Sequence, residues 1–380
     1  MSKSRFSRYF IPGLVMRSVI VGAAYSTGRE MTEFFLKFGA FSALVSLLLA
    51  TALFSGFCII ALELARRYKV HDYRSFSRVY MGRLWFLYEI GFVFGVMLTL
   101  SAIAAASAEI GADLFGLPPL ACSFILVTGI AALVFLGSSI LEKIMAIWSL
   151  FFYAAYALLL ALAIFAFGDR IVAAFAPTPV SFDALLSATI YAGFSCSILP
   201  IVIFVARHLE RPRDTLISGA LSGPLVFLPG IALVIMLAPF LPGIIEAPVP
   251  VMDVLDHLGV AWLVVLIKVA ILGELALNGA GLLHGVNERI AKSAEERKMT
   301  LPRGWRPLLA AAALLFSLYL AAAIGLIDLV ALGFRYGAIL FLIVMVLPII
   351  TRGAWLLLGR KYPRPSPAGD NQAGREHRAD

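Results

Sequence analysis

Long apolar stretches constrain the fold of this chain more than any other feature. Ten of them follow one another along its 380 residues, and most reach the roughly 20 residues that an α-helix needs to cross a bilayer. Only 14% of residues are charged, against about 25% in soluble domains. The sequence therefore predicts an all-α polytopic membrane protein with ten transmembrane helices, here called spans one to ten. We place them at 10–36, 41–65, 84–110, 119–137, 141–167, 184–207, 214–238, 254–288, 306–327 and 329–350.

The basic residues predict the orientation of these spans. Most of the 31 Lys and Arg residues lie before span one, in every second connection and after span ten. Cytoplasmic segments carry an excess of basic residues, so we expect both termini in the cytoplasm. The positive charge therefore indicates contact with the lipid bilayer and not with nucleic acid. We expect residues 1–350 to form one membrane domain. Residues 351–380, rich in Pro, Gly and charge, should be a largely disordered cytoplasmic tail.

Span one is interrupted in its middle by the segment from Gly22 to Glu30, which holds two glycines, two hydroxyls, an arginine and a glutamate. A charged side chain near the bilayer centre costs about 2.5–3.5 kcal/mol on insertion scales. A broken helix offers free backbone amides and carbonyls at membrane depth, where they can bind a solute or an ion. The interruption therefore predicts a transporter.

Span six carries a comparable interruption between Ala192 and Pro200, although a kink without function is the alternative there. Span one should begin in the cytoplasm and span six outside, so residues 10–167 and 184–350 would form two inverted repeats. Matching breaks in inverted repeats indicate a binding site near the bilayer midplane. The expected ligand is a small-molecule solute.

The candidate substrate-binding residues belong mainly to the two breaks. They are Gly22, Ala23, Ala24, Tyr25, Ser26, Thr27, Gly28, Arg29, Gly193, Phe194, Ser195, Ser197 and Asn278. Amide groups near Gly28 would meet a carboxylate, because a helix N-terminus attracts anions. Carbonyl groups near Gly22 or Gly193 would meet an amine. Arg29 has an alternative role in a structural ion pair with Glu30 or Glu33.

Three further residues are candidates for ion coupling. Glu274 lies deep in span eight, one turn from Asn278, and an intramembrane carboxylate is a functional hypothesis by default. Burial favours the neutral form of a carboxyl group, which suits Glu274 to carry a proton; a salt bridge with Lys268 or Arg29 is the alternative. Glu30 and Lys143 complete the set, although Lys143 fits an interfacial cation equally well. Arg17 should snorkel toward the cytoplasm, outside the site.

Other kinds of site receive no support from the sequence. We find no Ser–His–Asp spacing, no Walker loop and no HExxH motif, and His208, His257 and His284 do not cluster with carboxylates or cysteines. The three cysteines all fall in apolar spans. We therefore expect no enzyme activity, no cofactor and no metal site.

The stretch from Gly22 to Phe35, GAAYSTGREMTEFF, resembles the first span of the YkvI-like family of bacterial membrane proteins, and the resemblance runs over residues 10–350. It implies the LeuT-type fold of the amino acid–polyamine–organocation superfamily, with five plus five inverted helices and unwound helices one and six. It also implies a bacterial inner membrane and an amino acid or related compound as the solute.

The same resemblance bears on coupling. Sodium-coupled members of this fold place hydroxyl side chains in helix eight, and Leu277–His284 contains none. Some proton-coupled relatives use a lysine from helix five instead, which is where Lys143 lies. Proton coupling is therefore favoured over sodium coupling. The alternative function is a ligand sensor or scaffold of the same fold, whose loops Arg66–Arg83 and Arg289–Arg306 would contact a partner.

Overall fold

The structure is a computed structural model that describes residues 8–135, 138–296 and 305–359. Seven of its helices are long and apolar enough to cross a membrane. Two shorter apolar helices, Pro119–Val134 and Ala311–Ile324, lie where spans four and nine were predicted. Together with the segmented span one, this arrangement is compatible with ten spans and makes the chain a multi-pass membrane protein.

The helices follow the predicted spans closely. Span one consists of Ile11–Ile20, Ala23–Ser26 and Arg29–Phe34, and span six of Phe182–Cys196 and Leu199–Val202. The other spans are Ala40–Tyr68, Trp85–Phe115, Pro119–Phe135, Ser138–Ala174, Pro212–Leu237, Ala261–Glu296, Trp305–Ile324 and Leu326–Leu358. Two short helices, Tyr73–Met81 and Pro250–Leu258, lie between spans.

The predicted start of span eight was wrong. Residues from 254 onward were assigned to that span, but they belong to the separate short helix Pro250–Leu258. Gly259 ends this helix with a left-handed backbone (φ 65°), a conformation that glycine adopts without steric cost. Span eight begins at Ala261. Span ten, in turn, continues past residue 350 to Leu358, and residues 360–380 of the predicted tail lie outside the described residues.

The packing of the spans repeats with a shift of five. Span one packs on span seven, and span six packs on span two. Span three packs on span nine, and span eight packs on span four. Span five packs on span eight, and span ten packs on span three. Each contact has its counterpart in the other half of the chain, which is what an inverted repeat of five plus five helices requires.

Candidate functional site

Span one is broken at two glycines. The first helix ends at Ile20, and Gly22 leaves the helical region with φ −123° and ψ −141°. One helical turn follows, Ala23–Ser26, and Gly28 then takes a left-handed conformation (φ 84°) before the last helix begins at Arg29. The predicted interruption of span one is confirmed, and the segment from Gly22 to Glu30 is not one continuous helix.

The interruption of span six is milder. The backbone at Ser197 and Ile198 stays in the right-handed region, but the main helix ends at Cys196 and a single turn restarts at Leu199. Pro200 lies in this new turn and has no N–H to donate. The turns around the interruption are tightened, since the amide of Ser197 bonds to Phe194 and that of Ile201 to Ile198, both at 3.0 Å.

Side chains from neighbouring spans bond the carbonyl groups at these breaks. Asn278 of span eight donates its Nδ2 to the carbonyl of Val19 in span one (3.3 Å). Tyr88 of span three donates its hydroxyl to the carbonyl of Ser197 in span six (2.9 Å). Spans three and eight are equivalent in the two repeats. The inverted symmetry of the fold therefore extends to the side-chain donors that bond the carbonyl groups at each break.

A cavity lies between the two breaks. Its volume is about 50 Å³, measured as the space open to the centre of a water-sized sphere, which is room for a few water molecules. Spans one, three, six, eight and ten all contribute to its wall. The lining residues are Val19, Ile20, Gly22, Glu30, Phe92, Gly95, Val96, Thr99, Phe194, Ser195, Ser197, Ile198, Asn278, Leu282, Phe334 and Phe341.

Glu30 is the lining residue that can carry a charge. Its side chain is 4% exposed, and its Oε2 accepts a hydrogen bond of 2.5 Å from the hydroxyl of Tyr191 in span six. The backbone amide of Tyr25 also faces this carboxyl group. Glu30 and Tyr191 thus connect the two broken spans directly.

Asn278 approaches span one so closely that only glycine fits opposite it. A Cβ atom on Gly22 would lie 2.5 Å from Asn278 Nδ2 and 2.7 Å from its Oδ1. The Oδ1 atom is buried and has no hydrogen-bond partner among the described residues. Gly22 and Asn278, both predicted as site residues, therefore lie together on the cavity wall.

Several other predicted site residues lie behind the cavity rather than on its wall. Tyr25 is fully buried and donates to the carbonyl of Val226 in span seven (3.1 Å). Thr27 bonds to the carbonyl of Ala24 (2.9 Å), and the carbonyl of Ser26 accepts from Tyr156 of span five. Gly28 faces Leu237, Val251 and Pro250, and Gly193 faces Leu342. The side chain of Ala23 lies outside the described part.

Arg29 points away from the cavity, toward the 7–8 loop (residues 238–260). Its Nη1 donates to the carbonyl groups of Ile245 (2.5 Å) and Ala247 (3.2 Å). Its Nη2 bonds to Glu33 at 3.0 Å, which agrees with the alternative of a structural ion pair. The amide of Val251 also bonds to the carbonyl of Thr27 (3.2 Å), so the break of span one is attached to this loop twice.

The expectation for Arg17 was wrong. It does not snorkel but is 1% exposed, with Nη1 3.8 Å from Glu274 Oε1 and 3.1 Å from Ser149 Oγ. The guanidinium also lies 3.9 Å from the centre of the Tyr153 ring, a cation–π contact. Glu274 is buried but does not line the cavity. Its partner is Arg17 and neither Lys268 nor Arg29.

Two lysines of the sequence analysis remain. Lys268 pairs with Asp113 of span three, because the end of span three lies next to the first turns of span eight. Lys143 belongs to the helix of span five, but its side chain lies outside the described part of the structure.

Sequence reasoning missed the tyrosines and the aromatic wall. Tyr88, Tyr156 and Tyr191 each donate to a broken span, and Phe92, Phe334 and Phe341 line the cavity from spans three and ten. The available signal was a buried tyrosine in an apolar span, since its hydroxyl must find an acceptor. Periodicity alone does not say where that acceptor lies.

Comparison with known proteins gives matches in structure alone. No family model and no curated protein matches the chain. Among solved structures, it is similar to a Na+-coupled sialic acid symporter in a substrate-bound outward-open state, with a TM-score of 0.61 and 13% identity over 92% of this chain and 83% of that one. It is also similar to MhsT in complex with L-phenylalanine, with a TM-score of 0.60 and 18% identity over 95% and 90% of the two chains.

A third similar structure is a mutant of the manganese transporter of Eremococcus coleocola, with a TM-score of 0.54 and 14% identity over 91% of this chain and 78% of that one. At such identities the likeness shows the fold. The chain has the LeuT-type fold, with inverted repeats and breaks in spans one and six.

Proposed function

We propose that this protein is a secondary active transporter that moves a small solute by alternating access. The observation that carries the proposal is the cavity, because both broken spans contribute residues to its wall. Breaks of this kind supply backbone groups that can bind a solute inside the membrane. The proposed binding residues are Gly22, Phe194, Ser195, Ser197 and Asn278.

The solute class is an amino acid or a related small compound. Three similar structures, by their titles, are a sialic acid symporter, a complex with L-phenylalanine and a manganese transporter, so the fold alone does not select a solute. The resemblance of residues 22–35 to the YkvI-like family supports the amino acid class. We further propose a bacterial inner membrane with both termini in the cytoplasm, on the distribution of basic residues.

Coupling to protons is proposed through Glu30 and Glu274, two buried carboxyl groups. Glu30 lies on the cavity and Glu274 lies behind it, beside Arg17. Arg17 places a fixed positive charge between spans one, five and eight. This guanidinium already lies where a sodium ion would have to approach Glu274, and two cations side by side repel each other, which favours the proton.

Uptake by proteoliposomes tests the proposal. Purified protein should accumulate labelled amino acids or related amines under an imposed pH gradient, and a sodium gradient alone should drive less uptake. Glu274→Gln should lower pH-driven flux more than it lowers solute binding. Asp113→Asn is the matched control, because it removes a carboxyl group paired with a cation of span eight outside the cavity. Binding without gradient-dependent flux would contradict transport and favour a sensor.

A further inference from the structure

The ionisable group on the cavity wall is a carboxyl group. Among the described lining residues, Glu30 is the one that can ionise, and the others are apolar or neutral. The two arginines of span one do not balance it, since Arg17 pairs with Glu274 and Arg29 pairs with Glu33. A buried carboxylate without a cationic partner is unfavourable, and a positively charged ligand would supply that partner.

Most of the unused hydrogen-bonding positions on the cavity wall are acceptors. A carboxylate has about four lone-pair positions, and Tyr191 and the amide of Tyr25 face only part of them. The Oδ1 of Asn278 is buried without a partner among the described residues. Two of the lining hydroxyl groups are already used as donors, because Ser195 donates to Tyr191 and Thr99 donates to Gly95 within their own helices.

The amide groups near Gly28, where the sequence predicted binding of a carboxylate, are not available to the solute. The amide of Gly28 already bonds to the carbonyl of Tyr25 at 3.0 Å, and that of Arg29 lies 3.4 Å from Thr27 Oγ1. Gly28 itself faces apolar side chains away from the cavity. The anion site expected from the sequence therefore does not open onto the cavity wall.

The rest of the wall is apolar and aromatic. Phe194 and Phe334 stack with ring centres 4.8 Å apart, and Phe92, Phe341 and Leu282 complete this side. Aromatic faces attract cations as well as apolar groups. The wall therefore matches a ligand with a positive head and a small hydrophobic body.

We propose that the cavity selects small organic amines without a carboxylate, with the ammonium group held by Glu30 and Asn278 and the apolar body held by the phenylalanines. This inference rests on the proposed transport function and narrows its solute class. An amine should bind more tightly than the amino acid of the same side chain. The acid that lacks the amine should bind most weakly.

A matched series of ligands tests this inference. Isoamylamine, leucine and isocaproate share one branched hydrocarbon body and differ in their charged groups. Thermal shift and calorimetry on the purified full-length protein should rank isoamylamine above leucine and leucine above isocaproate. N-acetylation of the amine, which removes its charge, should abolish binding. Tighter binding of leucine or isocaproate would overturn the inference and would leave transport itself standing.

Two variants locate the amine. Glu30→Gln keeps the size of the side chain and should weaken isoamylamine binding roughly tenfold or more, since loss of one charged contact exceeds about 1.4 kcal/mol. Glu109→Gln, at an exposed carboxyl group of span three, should leave binding unchanged. Equal affinity of the Glu30 variant and the parent would overturn the inference. If the variant fails to fold, the comparison of the amine with its N-acetyl form decides the question alone.

The failure of the inference and the failure of the proposed function give different results. If no member of the series and no other short amine binds while proteoliposomes accumulate a neutral or anionic solute, the amine inference is wrong and transport holds. If amines bind with the predicted ranking but no gradient drives their uptake, the site is right and transport is wrong.

Discussion

At Gly22 the backbone of span one leaves its helix and lies against the amide group of Asn278. Gly22→Ala would place a Cβ atom 2.5 Å from Asn278 Nδ2, so the bond from Asn278 to Val19 must shift. We expect a loss of about 1–3 kcal/mol in the free energy of unfolding, the usual cost of overpacking. Thermal unfolding in detergent measures this loss.

Gly56→Ala is the matched control for Gly22→Ala. A Cβ atom on Gly56 of span two would have no neighbour within 4 Å. Alanine is a better helix former than glycine by about 1 kcal/mol, so the control should be neutral or stabilised. Equal changes in melting temperature for the two variants would contradict the close contact at Gly22.

The Arg17–Glu274 pair offers a second test at single residues. Both side chains are at least nine-tenths buried, and removal of one partner leaves the other charge buried without compensation. We expect Glu274→Ala to lower the free energy of unfolding by about 3–5 kcal/mol. Arg17→Met combined with Glu274→Leu should recover most of this loss, because two apolar side chains need no partner.

A double-mutant cycle on these positions measures the coupling energy directly. The cycle consists of Arg17→Met, Glu274→Leu and the two together, and the double variant should be more stable than either single variant. If the two single changes simply add, the charges do not depend on each other for stability, and the pairing seen in the structure has no energetic role.

At the scale of elements, the attachment between span one and the 7–8 loop determines how firmly this loop is held. Arg29 donates two hydrogen bonds to loop carbonyl groups, and bonds from a charged donor contribute about 1.5–3 kcal/mol each. Arg29→Gln should therefore raise the rate of amide hydrogen exchange in residues 243–258 roughly tenfold or more, because about 1.4 kcal/mol corresponds to a factor of ten.

Lys37→Gln serves as the control for this measurement. Lys37 shares Glu33 with Arg29 at the end of span one, but it makes no described bond to the 7–8 loop. Its replacement should leave exchange in residues 243–258 near the parent value. Unchanged exchange in the Arg29 variant would show that other contacts hold the loop.

The elements also show what the sequence could and could not predict. Glycine and charge inside apolar stretches sufficed to locate the breaks, because both features are costly in a plain membrane helix. The start of span eight was missed because the apolar positions of the helix Pro250–Leu258 run directly into those of the span. A hydropathy profile averages over the junction between the two helices, whereas the left-handed backbone at Gly259 separates them in the structure.

At the scale of the whole molecule, the three cysteines report on packing. Cys58, Cys122 and Cys196 are buried and unpaired, and thiol reagents need access to the sulfur. We expect a bulky maleimide to label the folded protein slowly and all three positions rapidly on unfolding, as measured by mass spectrometry along a denaturant series. Rapid labelling of Cys196 in the folded state would contradict the packing next to the break of span six.

The partners across the molecule lay beyond sequence reasoning for a physical reason. Arg17 and Glu274, or Glu30 and Tyr191, are far apart in the chain and meet only because the two repeats are intertwined. The resemblance of one motif predicted the fold, whereas the side of the membrane inferred from charge patterns stays a prediction. The choice of Arg17 as the partner of Glu274 depends on the depth and rotation of three packed helices, which periodicity does not fix.

The carbonyl groups of the breaks have one more consequence. These carbonyl groups accept hydrogen bonds from side chains of other spans, namely Asn278, Tyr88 and Tyr156. In an ordinary helix the carbonyl groups are bonded within the helix. A side-chain donor can be replaced by a water molecule or by a solute without any further unwinding. A rearrangement at the breaks therefore exchanges one hydrogen-bond donor for another, and the balance of polar contacts is preserved while the helices change position.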